Sequence, residues 1–163
     1  MERRIVGFEV DELGDWAARL DCLHRQHIRH QPPFRLAPWI DREAERARRI
    51  GTTWPCPLCD RCEIPADLVV LRTTATWDEH TMPGALRRAH RVASGTWGRL
   101  RVAAGALRFV AQTDPVTDVV VGALRPQGIP PDVAHSVEPQ GPTRFAIDFL
   151  GGPEAVLSAD DRR

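Results

Sequence analysis

The first twenty residues alternate between apolar and polar positions, as strands with one buried face do. One such run extends from Arg4 to Val10, and a second extends from Trp16 to Leu20. Residues 11 to 15, Asp-Glu-Leu-Gly-Asp, have the composition of a turn. The pattern therefore predicts a β-hairpin whose second strand leads directly to Cys22.

A helix is predicted from Asp41 to Ile50. Asp41 can cap its first turn, Gly51 suits the position after its last turn, and the interior is mainly Glu, Ala and Arg. Arginines recur along this segment among glutamates. That arrangement favours a solvated face of charge pairs over a phosphate-binding surface.

From residue 67 onward, short strand patterns alternate with turns rich in glycine and proline. The predicted strands are Leu68 to Ala75, Arg87 to Ala93, Trp97 to Val102, Ala106 to Ala111, Val116 to Ala123, Ala134 to Glu138 and Thr143 to Leu150. This regular spacing is typical of a β-sandwich or jelly-roll barrel. We therefore predict a mainly β protein, with a small α+β module at 1–66, a β-sandwich or jelly-roll barrel at 67–152 and a polar tail at 153–163.

Composition and charge restrict the class of protein. Charged residues make up 27% and hydrophobic residues 42% of the 163 positions, as in soluble globular proteins. Arginines and acidic residues balance at 11 each in residues 1–66 and at 11 each in the remainder, unlike the concentrated positive charge of nucleic-acid-binding proteins. No run approaches the roughly 20 apolar residues of a membrane span, and the N-terminus has no apolar signal core. We expect a cytoplasmic protein that binds neither membranes nor nucleic acid.

Cysteines and histidines concentrate in the N-terminal module, and their clustering favours metal binding over disulfides. One group comprises Cys22, His24, His27 and His30, and the other comprises Cys56, Cys59 and Cys62. Zinc takes four sulfur or nitrogen ligands, commonly as two pairs. We predict a closed, structural zinc site formed by Cys22, His24, Cys56 and Cys59, with His27 and Cys62 as substitutes.

Zinc would also supply folding free energy to a module too small to bury a large core. Two alternatives remain for these residues. The cysteines could be reduced and free beside ordinary histidines, or Cys56 and Cys59 could form a redox motif. No strand–helix context of the thioredoxin type surrounds them, which disfavours the redox motif.

A dense set of short motifs runs through residues 4 to 60. They are Gly7-Phe8, Asp11-Glu12, Gly14-Asp15-Trp16, Cys22, His24, Gln26-His27, Arg29-His30, Pro32-Pro33-Phe34, Pro38-Trp39 and the Cys56/Cys59 pair. Together they resemble a small uncharacterised bacterial family with a Cys/His pattern of the zinc-binding kind. That resemblance implies no particular activity.

The C-terminal half contains further motifs. They are Met82-Pro83-Gly84, His90-Arg91, the run from Gly95 to Leu100, the run from Gly105 to Phe109, the run from Pro130 to Pro139, and Arg144-Phe145 with Phe149. Together they resemble the small cupin of tellurite-resistance proteins of the TehB type. The resemblance implies a cupin-like barrel and a connection to metalloid or oxidative stress. In such proteins a methyltransferase domain can follow the cupin, but only a short polar tail follows Leu150 here, so we expect no methyl transfer.

The same resemblance implies that His90 and His135 occupy two of the four usual cupin ligand positions. Val92 and Gly98 stand where a second histidine and a glutamate are usual. Strand alternation turns both histidines inward, so we expect them to face each other across the barrel. They could hold a second divalent metal, bind a small polar or anionic ligand with help from Arg87, Arg91 or Arg99, or be buried histidines without a ligand.

Two acids near this pocket are poor candidates for a third ligand. Phe145, Ile147 and Phe149 should take the core face of their strand, which turns Asp148 outward. Glu138 is disfavoured as well.

These observations favour a non-catalytic or sensing metal-binding protein. A minimal metal-dependent cupin enzyme, an oxygenase or isomerase, is the second hypothesis. The third is a zinc-finger-like binding module that uses the cupin as a dimeriser or ligand sensor. The C-terminal half shows no Ser-His-Asp triad and no glycine-rich phosphate loop. The expected partners are a small-molecule or anionic ligand and a second copy in a homodimer.

Overall fold

The computed structural model describes residues 1–28 and 37–155. Contacts divide the chain into two compact units, Met1–Cys56 and Pro57–Arg163. The boundary predicted at residue 66 lies somewhat further along the chain. Within the described residues, no helix has the length and hydropathy needed to cross a membrane.

The first unit contains a four-stranded antiparallel sheet in the order β3-β2-β1-β4. Its strands are β1 (Glu2–Val10), β2 (Trp16–Leu20), β3 (Arg25–His27) and β4 (Thr53–Pro55). The predicted hairpin is confirmed, since Val10 pairs with Trp16 across the turn. The Asp11 carboxylate accepts the N–H groups of Leu13 and Asp15, each at 2.8 Å, and thereby stabilises that turn.

The helix of this unit is shorter than the predicted Asp41 to Ile50. A 3-10 turn covers Pro38–Asp41, and the helix α1 covers only Glu43–Ala47. Asp41 belongs to the preceding turn, and the residue at the N-cap of α1 is Arg42, which makes no side-chain capping hydrogen bond. At the other end, the N–H of Gly51 donates to the carbonyl of Ile5 on β1 at 2.8 Å. This N–H is therefore bonded to the sheet and does not extend the helix.

The second unit begins with the short helix α2 (Pro57–Asp60) and is otherwise mainly β. One sheet has the order β10-β7-β12-β5, with β6 also paired to β12, and another has the order β11-β8-β9. The strands are β5 (Val69–Thr73), β6 (Trp77–Asp78), β7 (Trp97–Ala104), β8 (Ala106–Ala111), β9 (Thr117–Gly122), β10 (Gln127–Ile129), β11 (His135–Pro139) and β12 (Arg144–Gly151).

Alternate residues of these strands form the core of the unit. From the larger sheet, Leu100, Phe145 and Ile147 are buried, and from the smaller sheet Leu107 and Phe109 are buried. The mainly β fold with several sheets is therefore confirmed, whereas the jelly-roll arrangement stays a prediction.

The bend between β7 and β8 depends on Gly105. Its φ is +73°, and a Cβ atom there would lie 2.2 Å from the carbonyl oxygen of Pro142. Only glycine fits such a position without strain. The alternation on either side of Gly105 predicts a hairpin, and that prediction is wrong. β7 pairs with β10 and β12 in one sheet, whereas β8 pairs with β11 and β9 in the other, so the chain passes from one sheet to the other at Gly105.

The strand predicted from Arg87 to Ala93 does not form. A 3-10 turn occupies Gly84–Arg87, and only His90 and Val92 make isolated bridges, to His135 and Pro131. Local hydrogen bonds use the backbone groups before His90, so no continuous ladder develops. The short strands β3, β4, β6 and β10 were not predicted, because runs of two or three residues show no alternation.

Candidate metal centre and histidine pair

The sheet of the first unit brings Cys22, His24 and Cys56 to the start of β1. Cys22 and His24 flank Leu23, whose φ of +69° marks the tight turn between β2 and β3. The N–H of Asp21 donates to the carbonyl of Arg4 at 2.9 Å. On the other side of β1, the N–H of Cys56 donates to the carbonyl of Met1 at 2.8 Å. Backbone hydrogen bonds to β1 or to the residue before it thus hold both cysteine-bearing segments in place.

Four side chains converge there. The donor atoms of Cys22, His24, Cys56 and Cys59 all lie within 4.8 Å of one another, and all four residues are buried. Cys59 lies on α2. We call these four residues the Cys/His cluster.

The separations within the cluster fit one metal ion. Tetrahedral zinc, with bonds of about 2.3 Å to sulfur and about 2.1 Å to nitrogen, keeps two sulfurs about 3.8 Å apart and a sulfur and a nitrogen about 3.6 Å apart. The Sγ atoms of Cys22 and Cys56 are 3.8 Å apart. The Nδ1 atom of His24 lies 3.5 Å from Cys22 Sγ and 3.3 Å from Cys56 Sγ. These four donor atoms could therefore hold one metal ion.

The two substitute ligands lie elsewhere. His27 is on β3, half exposed, with its Nδ1 atom 2.9 Å from the Asp11 carboxylate. Cys62 is buried within the second unit, with its Sγ atom 3.8 Å from the Thr117 hydroxyl, and burial raises the pKa of its thiol. His30 lies outside the described residues.

Gln26 is a neighbour of the cluster that sequence reasoning missed. Its side-chain amide donates to Cys56 Sγ at 3.6 Å. Alternation along β3 places Gln26 on the opposite face from Arg25 and His27, which is the signal that could have identified it. An N–H···S hydrogen bond stabilises a thiolate and orients it toward a metal.

His90 and His135 form a pair in the second unit. Each backbone N–H donates to the carbonyl of the other residue, at 3.0 and 2.9 Å, and the ring centroids are 4.1 Å apart. The expectation that they face each other across a barrel is wrong. They are side-by-side neighbours, because His90 forms an isolated backbone bridge with His135, the first residue of β11.

Hydrogen bonds define the tautomers of this pair. The Nδ1 atom of His135 is 2.9 Å from the carbonyl oxygen of Val133, and that of His90 is 3.1 Å from the carbonyl oxygen of Arg88. A carbonyl can only accept, so each Nδ1 is the donor. Burial, and next the charge of His90, lower the pKa of His135 to about 4 against the opposing effect of the Val133 hydrogen bond. At neutral pH, His135 is therefore uncharged and its lone pair is on Nε2.

Val92 and Gly98 stand at the positions where the cupin resemblance implies a second histidine and a glutamate. Val92 is buried. A Cβ atom on Gly98 would lie 3.0 Å from Ile129, which leaves no room for a glutamate there without rearrangement.

Asp148 is turned away from the core-facing Phe145 and Ile147, yet only 2% of it is exposed. Sequence reasoning predicted the outward face but missed the burial. Arg99, Arg101 and Thr73 cover its carboxylate and donate five hydrogen bonds of 2.7–2.9 Å. Burial opposes ionisation, but these hydrogen bonds outweigh it and lower the pKa of Asp148 to about 2.

Two family models match two different segments of the chain. Residues 6–63 match a family described as "Protein of unknown function (DUF3565)", and residues 72–147 match the "TehB-like domain" family. "Uncharacterized protein YeaR" of Escherichia coli (strain K12) is 26% identical over 110 residues, which are 62% of this chain and 92% of that protein.

Two crystal structures resemble the chain. One, of a protein from Escherichia coli (strain K12), has a TM-score of 0.50 and 26% identity and covers 55% of this chain and 96% of its own. The other, TehB from Haemophilus influenzae, has a TM-score of 0.49 and 22% identity and covers 53% of this chain and 32% of its own. The family match confirms the TehB-type resemblance of the C-terminal half, and a segment matching a second family precedes it. The cupin identity stays a prediction.

Proposed function

We propose that this protein is a metal-binding protein whose Cys/His cluster holds one structural zinc ion. The observation that carries the proposal is the set of four buried donor atoms within 4.8 Å of one another. Three thiols and one imidazole suit zinc, and four protein ligands leave no position open for a substrate. Zinc would then supply folding free energy to the N-terminal segment.

Metal content of the purified full-length chain tests this proposal. We expect one equivalent of zinc by mass spectrometry, and its loss in the double variant Cys56→Ser/Cys59→Ser. Cys62→Ser is the matched control, because Cys62 is a buried cysteine outside the cluster. His24→Ala and His27→Ala form a second pair, of which only the first should lose zinc. A full equivalent of zinc in the double variant would exclude this ligand set.

For the TehB-like segment we favour a non-catalytic role in sensing a small molecule, an anion or a second divalent metal. The supporting observation is the pair of histidines whose Nδ1 atoms both donate to carbonyls, an arrangement typical of histidines that present Nε2 to a ligand. A second metal equivalent that disappears in His135→Ala would support a metal at this pair. A minimal cupin enzyme, an oxygenase or isomerase, also requires a second metal equivalent. The absence of a second equivalent would therefore exclude both a metal at the histidine pair and the cupin enzyme.

The biological setting belongs to the same proposal. We propose a role in the response to metalloid or oxidative stress, for which the TehB-like family match is the support, and a cytoplasmic location. A deletion strain challenged with tellurite and, separately, with peroxide tests it, with wild-type and Cys56→Ser/Cys59→Ser chains for complementation. Light scattering tests the proposed homodimer. An electrophoretic shift assay with DNA and RNA tests the alternative of a zinc-finger-like binding module.

A further inference from the structure

A cleft of about 340 Å³ lies beside strands β7 and β12 of the second unit. One charged side chain, Arg101, lines it, together with the threonines Thr73 and Thr76 and the small residues Ala103, Ala123 and Ala146. The volume falls within the range of about 300–1,000 Å³ that is usual for small-molecule sites. Neither the Cys/His cluster nor the histidine pair contributes to the lining.

Arg101 is held in place by the buried Asp148. Its Nε and Nη2 atoms each donate to the carboxylate at 2.8 Å. Arg99 donates to the same carboxylate through the same two atoms, at 2.9 and 2.7 Å, and Thr73 donates at 2.8 Å. Two guanidinium groups therefore share one carboxylate, so this group of side chains keeps a net positive charge. An arginine fixed in this way loses little conformational entropy on binding a ligand.

Arg101 also has hydrogen-bond donors that the bonds to Asp148 do not use. The bonds to Asp148 use Nε and Nη2, whereas Nη1 donates no hydrogen bond among the described residues. The side chain is 49% exposed. The Thr76 hydroxyl likewise has no hydrogen-bond partner within the part of the chain that the structure describes, and it lines the same cleft. Two sets of donors thus line a hollow whose other walls include three alanine side chains.

Another arginine–aspartate pair of this unit provides a contrast. Arg108 on β8 binds Asp118 on β9 through Nε and Nη2, at 2.8 and 2.6 Å, with the same two-point geometry. That pair is one-to-one and both side chains are about half exposed. It has no excess charge and does not line the cleft. Arg108 is therefore a matched control for Arg101.

We infer that this cleft binds a small organic carboxylate, with the Nη1 edge of Arg101 and the Thr76 hydroxyl receiving the carboxylate and the alanine walls receiving its apolar part. A planar guanidinium matches a carboxylate in shape and charge. Apolar walls favour an organic body over a small inorganic anion that must stay hydrated. This site is independent of the proposed zinc, and neither depends on the other.

The test is a titration of the full-length protein with benzoate at low ionic strength, followed by amide chemical shifts. We expect saturable shifts confined to residues around the cleft on β7 and β12. Arg101→Gln should weaken binding at least tenfold, and Arg108→Gln should leave it unchanged. Ala103→Leu should also weaken binding, because Ala103 is exposed and a larger side chain there occupies the cleft without altering the Asp148 network.

Three results would overturn the inference. The first is the absence of saturable shifts in the wild-type protein. The second is an equal loss in Arg101→Gln and Arg108→Gln, which would indicate general charge attraction. The third is sulfate binding as tight as benzoate binding together with an unaffected Ala103→Leu, which would indicate a site for inorganic anions only. Circular dichroism of each variant verifies folding, and Ala103→Leu keeps the test decisive if Arg101→Gln is unfolded.

Discussion

Replacement of Asp148 by asparagine should destabilise the second unit by removing a charge and little else. Asparagine has nearly the same size, and its carbonyl can still accept hydrogen bonds from Thr73 and one arginine. What is lost is the attraction between a buried carboxylate and the two guanidinium groups of Arg99 and Arg101. Breaking one side of a buried ion pair is costly, because the remaining charge is left uncompensated.

The size of the effect follows from the ionisation of Asp148. Its pKa falls from 3.8 to about 2 on folding, and one pKa unit corresponds to about 1.4 kcal/mol, so ionised Asp148 stabilises the fold by about 2.5 kcal/mol relative to its neutral form. We expect Asp148→Asn to cost about that much at pH 7. Asp118→Asn is the control and should cost much less, because its ion pair with Arg108 is exposed to solvent.

The assay is urea unfolding of the full-length protein, followed by the indole N–H signal of Trp97, which is fully buried in the second unit. Since the folded pKa is the lower one, the stabilisation is complete above the unfolded pKa of about 4 and is lost as the pH falls toward about 2. The difference between wild type and Asp148→Asn should therefore shrink over that range. The reasoning is refuted if Asp148→Asn costs no more than Asp118→Asn, or if the difference is unchanged at pH 2.

Three further expectations concern the turns and the cluster. Gly105→Ala should destabilise the second unit by at least about 1–2 kcal/mol, since the φ of Gly105 is +73° and a Cβ atom would clash with Pro142. In the same urea assay, Gly122→Ala should cost much less, because a Cβ atom there has no neighbour within 4 Å. Gln26→Leu should weaken metal binding about 10–100-fold and shift metal release to higher pH, because the Cys56 thiolate loses a hydrogen bond. The absorption of the cobalt-substituted protein, recorded against pH, measures this release. An unchanged release curve would contradict the prediction. Chelation of the metal should broaden the amide signals of residues 1–56, and full retention of their dispersion would show that the metal is not structural.

Local pattern in the sequence was sufficient for several elements. The hairpin of β1 and β2 and the strand Ala106–Ala111 were predicted because alternation and turn residues act over a few positions. The same holds for the mainly β class and for the concentration of Cys and His residues in the N-terminal segment. The short motifs between Met82 and Phe149 were likewise sufficient to indicate the TehB-like segment.

Depth of burial and choice of neighbour depended on the tertiary structure. Alternation along β12 indicated the face on which Asp148 lies, but only the arginines on β7 and the threonine on β5 explain why that face is covered there. Helix length likewise depended on a distant group, the carbonyl of Ile5, which binds the N–H of Gly51. Such effects are set by pairing between strands far apart in sequence.

The two histidine-containing sites show the same limit. From spacing alone, seven Cys and His residues were candidate metal ligands. The pairing of β1 with both β2 and β4 brings Cys22, His24 and Cys56 together at one end of the sheet. His90 lies beside His135, and not across from it, because its segment bridges to β11 at that one residue pair. A sequence specifies which side chains can bind a ligand, whereas the register of strands distant in sequence decides which of them meet, since hydrogen bonding between strands is non-local.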